Sequence, residues 1–311
     1  MSHFGLIIMA GREREGNHAF IRVKFLNGNG EINRYYRRLH VLGEGGYGKT
    51  YEVEQVRNGR RYAMKVQKFE RVAPGAVATS STDPFEDVRI IYKEMVILNL
   101  ILPRHRNIIN IKDLLMSVDT VYIVLELCAR KCLRNFYPIA NNRSGRRIFK
   151  QIVQAAHFLH QHGVIHMDLH SENVLFTDDT MTESKIIDFG LAVYKPELAV
   201  RVHANFNHHQ WFDIDDLSGL IQDYSGPHED IQALGHILHC ILAGTEVDPE
   251  RFEQPRPEAE AEGEGVTPAY MPRMHIFDRE AKDLLELIGP EYFRRGALPT
   301  MDRVLTHPWL A

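Results

Sequence analysis

The sequence predicts an α+β fold in two lobes, strand-rich first and mainly helical second. Three observations carry this. Short apolar runs broken by Gly, Asn and Asp crowd the chain before Leu127. Longer segments with apolar residues at helical spacing dominate after it. Between them in kind is GEGGYG, residues 43–48, a glycine-rich turn that joins a strand to another strand rather than to a helix.

The elements follow in order. Residues 1–36 hold two apolar runs, GLIIMA and AFIRVKFL, and FLNGNGEI carries hairpin-type turn residues. This reads as an N-terminal extension of unknown role. RRLHVLG and KTYEVEQV are strands on either side of the glycine turn. Asn58-Gly59 makes a tight turn into a third strand, RRYAMKVQ. Residues 70–83 read as a loop. Asp83 caps a helix with Pro84 in its first turn, continued by EDVRIIYKEMVILNLI. NIINIKDLLM and VYIVLEL are two more strands around SVDT, making five antiparallel strands and one helix. After the join near 127–131, residues 143–162 form an amphipathic helix with Ile148, Ile152, Ala155, Ala156 and Leu159 on one face. DIQALGHILHCILAG is an apolar helix, PRPEAEAEGEG (255–265) a solvated acidic loop, and EAKDLLELI to VLTHPWL is helical. The predicted units are 1–36 and a domain over 37–311, with lobes at 37–127 and 131–311.

Composition narrows the function classes. The hydrophobic fraction of 44% and charged fraction of 25% are those of a globular chain. A net charge of −4 offers no basic field for nucleic acid or an anionic membrane. No apolar run approaches the roughly 20 residues that span a bilayer. Three cysteines, Cys128, Cys132 and Cys240, make no disulfide framework and suit a reducing, intracellular setting, cytoplasm or nucleus. Cys128 and Cys132 lack a second pair for zinc, and His236 and His239 on one helix face read as packing residues. No segment speaks to oligomeric state.

Several residues carry chemistry. Glycines in a strand–turn–strand loop let backbone N–H groups lie over phosphates. Lys65, in the apolar run YAMKV, needs an anionic partner, and Glu94 in YKEMVIL is the candidate. IHMDLHSENVL places Asp168 and Asn173 in one loop, and Asp188 follows the strand-like KII. Carboxylate and amide oxygens are hard ligands suited to magnesium, and a further carboxylate can accept a proton from a hydroxyl. Asp188 and Asn173 fit the metal role, Asp168 that of base.

Together these motifs resemble the eukaryotic protein kinase family over about residues 37–310. Gly43, Gly45 and Gly48 match the glycine loop, Ala63-Met64-Lys65 the strand lysine, and Glu94 the helix glutamate. His166 to Asn173 matches the catalytic loop, Asp188-Phe189-Gly190 the metal-binding turn, and Leu125 to Cys128 the hinge. Asp230 to Gly235 matches a buried helix start whose Asp anchors the catalytic loop, and His307-Pro308-Trp309 a closing helix. The resemblance implies a bilobal kinase-like fold and transfer of the γ-phosphate of ATP, with Mg2+, to Ser/Thr hydroxyls of a protein substrate. It implies that Lys65, held by Glu94, binds the α- and β-phosphates. Backbone groups at Glu126 and Cys128 hold adenine, with Thr50, Ala63 and Leu175 in the nucleotide site. Leu98, Ile111, His166 and Phe189 match an apolar column between the lobes.

The sequence also departs from the family. Met167 stands where an arginine is usual, and His170 where serine/threonine members carry a lysine that neutralises the γ-phosphate; His170 therefore implies slower transfer. Ala-Pro-Glu is absent between Val193 and Ser225, where Asp215 or Asp216 stands nearest in position. Two alternatives follow: a pseudokinase or scaffold that binds nucleotide without efficient turnover, and a small-molecule phosphotransferase akin to aminoglycoside kinases.

Overall fold

A computed structural model describes residues 21–45, 48–68, 93–200, 226–246, 274–290 and 297–311. Strands β1 (Val23–Phe25), β2 (Tyr36–Gly45), β3 (Gly48–Gln55), β4 (Arg61–Lys68), β5 (Ile111–Met116) and β6 (Thr120–Glu126) form one sheet in the order β1-β5-β6-β4-β3-β2. The five expected strands pair antiparallel. A sixth, β1, joins the far edge parallel to β5, with Val23 opposite Leu114 and Phe25 opposite Met116. The sheet is thus mixed rather than purely antiparallel. A strand of three residues is too short to show a period, and its partner lies far along the chain.

Strand alternation divides the sheet into two faces. On β6, Val121 and Ile123 point toward the helix over residues 93–101 (α1), while Tyr122 and Val124 point the other way. On β5, Leu114 and Leu115 split likewise. Glu94, Met95 and Leu98 lie on α1, which ends in a π turn over Ile97–Ile101, where Leu102 N–H donates to the Ile97 carbonyl at 3.0 Å. The start expected at Asp83 lies outside the described residues, as do the 70–83 loop, the 255–265 loop and Asp215–Asp216.

The second face is covered by the chain before β2. FLNGNGEI does not make a hairpin: after β1 it forms a 3-10 helix over Asn29–Arg34. Asn and Gly suit either turn, and burial decides between them. Leu26, Ile32 and Tyr36 are buried with Val53, Met64, Leu115, Tyr122 and Val124. Buried Asp113 on β5 accepts from Lys24 Nζ at 2.5 Å and from Tyr36 Oη at 2.9 Å, and Gln55 Nε2 donates to Tyr36 Oη at 3.0 Å. These partners are what a carboxylate away from water requires.

The second lobe is built on α2 (Asn142–Gln161) and α3 (Pro227–Ala243). Asn141 caps α2, its side chain accepting from Ser144 N–H at 2.9 Å. The expected face of α2 is buried. Gly244, with φ of 78°, ends α3. A Cβ on Gly235 would sit 1.8 Å from the Ile288 carbonyl oxygen, so glycine is what lets α3 approach α4 (Arg279–Ile288). The chain closes through α5 (Met301–Leu305), and buried Trp309 donates from Nε1 to Asn142 Oδ1 at 3.0 Å. Two small ladders complete this lobe: β7 (Val164–Ile165) with β10 (Val193–Tyr194), and β8 (Val174–Phe176) with β9 (Ser184–Ile186). No helix among the described residues is long and apolar enough to cross a membrane.

Candidate active site

Two segments reach the cleft from the second lobe. The 166–173 loop leaves β7 and enters β8, and residues 187–190 follow β9. Asp230, fully buried at the start of α3, holds the first. Its carboxylate accepts from His166 N–H at 2.9 Å, Met167 N–H at 3.0 Å and His160 Nε2 at 2.8 Å. Met167 needs that clamp. Its φ of 66° is left-handed, a conformation that costs a non-glycine residue about 1–2 kcal/mol. His166 is also buried, and burial lowers its pKa. Its Nε2 donates to the Ile187 carbonyl at 3.0 Å and its Nδ1 accepts from Asp168 N–H at 3.3 Å, the pattern of one neutral tautomer. The ring meets Phe189 edge-on, centroids 4.8 Å apart.

The charged groups meet across the lobes. Lys65 Nζ donates to Glu94 Oε2 at 2.8 Å and to Asp188 Oδ1 at 3.1 Å. Burial pulls the ammonium pKa down, but the two carboxylates outweigh it and raise it. Burial likewise pushes Asp188 up, and Lys65 more than reverses this, holding it below the usual carboxylate range. Asp188 has φ of 60°, a region Asp tolerates. Asn173 Nδ2 donates to the Asp168 carbonyl at 2.8 Å and to Asp168 Oδ2 at 3.0 Å. His170 Nε2 lies 2.9 Å from Asn173 Nδ2 and 3.6 Å from Asp168 Oδ2.

The glycine turn and hinge complete the rim. Gly43 lies opposite Thr50, and Thr50 opposite Lys65. Gly48 has φ of 145°, and a Cβ there would lie 2.1 Å from the Val66 carbonyl oxygen, so only glycine fits. Ala63 pairs with Leu125, and Leu175 bridges to Cys132. The Glu126 side chain is engaged by its neighbours: it accepts from Asn110 N–H at 2.9 Å and Asn110 Nδ2 at 2.7 Å, and pairs with buried Lys185 at 3.0 Å. The Cys128 backbone makes no hydrogen bond of its own to the described residues. Burial, then Glu126, pushes its thiol up to about 12, so it stays protonated.

The expected site residues therefore converge. Lys65, Glu94 and Asp188 form one ionic cluster, and Asp168, His170 and Asn173 a second in the adjoining loop. Sequence reasoning missed His160 beneath Asp230, and Lys185 and Asn110 behind Glu126. Lys185 had a local signal, a lysine in the apolar run KII; His160 and Asn110 had none.

A family model described as "Protein kinase domain" matches residues 36–310. The chain belongs to the protein kinase family. Relatives of this kinase domain include calcium-dependent protein kinase 24 of Arabidopsis thaliana, 31% identical over 86% of this chain and 44% of that one. Calcium-dependent protein kinase 8 of the same plant is 30% identical over 90% of this chain and 50% of its own length. The chain spans about half the length of the curated relatives it matches. Among solved structures, the twitchin kinase region of C. elegans aligns with a TM-score of 0.62 and 18% identity, covering 96% of this chain and 49% of that one. That likeness shows the same bilobal fold.

Proposed function

We propose that this kinase domain transfers the γ-phosphate of ATP, with magnesium, to serine or threonine hydroxyls of a protein. The observation that carries the reading is the convergence of Lys65, Glu94 and Asp188 beside the Asp168–Asn173 loop. The donor set fits the implied ligands. Asp188 offers a carboxylate held in its charged form, and Asn173 keeps its amide oxygen clear of hydrogen bonds with described residues while its nitrogen is used. These are hard oxygens of the kind magnesium takes alongside phosphate. Magnesium bound there would neutralise charge on the phosphates.

This chain's own residues do the rest. Lys65, oriented by Glu94, binds phosphate oxygens as a fixed cation. The Cys128 backbone and the Glu126 carbonyl receive the adenine edge, with Glu126 itself braced by Asn110 and Lys185. Thr50, Ala63 and Leu175 flank the base, and Gly43, Gly45 and Gly48 let the backbone approach the phosphates. Asp168, held by Asn173, orients the acceptor hydroxyl and takes its proton. His170 reaches the same spot with a hydrogen bond but no full charge when neutral, so transfer is slow. Glu172 before Asn173 and the His307-Pro308-Trp309 ending support serine/threonine over tyrosine as acceptor. The Met167 and His170 replacements favour a second reading, a nucleotide-binding scaffold with little turnover.

Incubation of purified protein with γ-labelled ATP and magnesium, beside an Asp168→Asn variant, separates the two. The kinase reading expects label on protein, reduced about 10²–10⁴-fold in the variant. No label from the wild type, or equal label from both, overturns it.

A further inference from the structure

The segment before β2 reaches the helix that carries Glu94. Ile21 N–H donates to Asn99 Oδ1 at 3.0 Å, and Asn99 Nδ2 donates back to the Ile21 carbonyl at 3.0 Å. A side-chain amide thereby pairs with a backbone as a neighbouring strand would. Asn99 sits inside the π turn of α1, five residues beyond Glu94. Such turns displace helical side chains from the regular α spacing. Ile21 and Val23 pack in the same apolar cluster as Met95 and Leu98 of α1. The other side of the segment is fixed to the sheet: Val23–Phe25 pair with β5, Leu26 N–H donates to the Met116 carbonyl at 2.7 Å, and Lys24 pairs with buried Asp113.

We propose that residues 21–26 are a built-in strap that fixes α1 against the sheet, and that Asn99 is the positioning residue through which the strap holds Glu94 on Lys65. Its effect on catalysis rests on the kinase reading, whereas its effect on α1 does not. With the strap engaged, Glu94 stays within 2.8 Å of the Lys65 ammonium. With it released, α1 keeps its apolar contacts to the sheet but loses the Asn99–Ile21 pair that ties it to the N-terminal segment. Control of the site is then available to anything that competes for residues 21–26.

Asn99→Ala in the full chain tests this. Amide hydrogen exchange over residues 97–102 is expected to quicken roughly tenfold, with no change over α2 in the other lobe, as for local rather than global opening. The kcat/KM for ATP is expected to fall by about tenfold, and Asn99→Ala added to Glu94→Gln is expected to cost nothing further, because the two act through one contact. Unchanged exchange over 97–102, exchange that quickens equally in both lobes, or an additive loss in the double variant each overturns the strap. If exchange shifts while even the wild type transfers no phosphate, the strap stands and the kinase reading fails.

Discussion

Replacing Asp230 with asparagine keeps the shape of the side chain and removes the geometry that holds the 166–173 loop. The carboxylate accepts three hydrogen bonds, from His166 N–H, Met167 N–H and His160 Nε2, at 2.8–3.0 Å in a site closed to water. An amide has one oxygen. With that oxygen on one backbone N–H, the NH2 group faces another donor. One buried donor is left unpaired, at a cost of about 1–3 kcal/mol, and the two bonds that remain lose their charged acceptor. Met167 also loses part of what holds it at φ of 66°. The sum is about 3 kcal/mol, a large part of the roughly 5–15 kcal/mol stability of a domain. For a domain of this size, that lowers Tm by roughly 6–12 °C. Urea and thermal unfolding of Asp230→Asn against wild type measure it, and phosphate transfer is expected to fall with it because Asp168 rides on the same loop. A variant within 0.5 kcal/mol of wild type, with normal transfer, would show that Asp230 is not the anchor the geometry implies.

The remaining expectations concern two histidines. His170→Lys places a full positive charge beside Asp168 and Asn173, so kcat is expected to rise about tenfold; an unchanged kcat in a steady-state peptide assay would show that charge at this position does not limit the rate. His239, fully buried on α3, has its pKa lowered by burial, and further by His236, from 6.5 to about 4. The unfolded chain therefore binds more protons than the folded one between those values. Stability falls as pH drops through that window, by about 2 kcal/mol from this residue between pH 7 and pH 5. His239→Leu is expected to flatten that part of the urea-midpoint profile against pH, and an identical profile in both proteins would refute the assignment.

Much of the site could be read along the chain because its parts are local. Asp168, His170 and Asn173 lie in one loop, Asp188 three residues past Lys185, and the glycine turn is bounded by strands whose alternation is plain. Spacing along the backbone there is nearly spacing in space. The amphipathic face of α2 was legible for the same reason, since helix geometry turns a sequence period into a buried stripe.

What lies between distant segments was not. Ile21 and Asn99 are 78 residues apart, His160 and Asp230 70 apart, and Lys65 and Asp188 123 apart. No period links such pairs. FLNGNGEI suits a hairpin by its turn residues, yet burial of Leu26, Ile32 and Tyr36 draws it across the sheet as a 3-10 helix, and β1 pairs parallel at the opposite edge from β2. The amino-acid sequence by itself determined most of the elements, the glycine turn and the identities of the charged and amide groups of the candidate site. Only the tertiary structure decided that Lys65 meets Asp188 as well as Glu94, that His160 shares Asp230 with the backbone of Met167, and where the N-terminal segment docks. Those outcomes turn on burying apolar faces and satisfying buried polar groups with whatever partner the whole fold brings near, which is a property of the packed chain and not of any stretch of it.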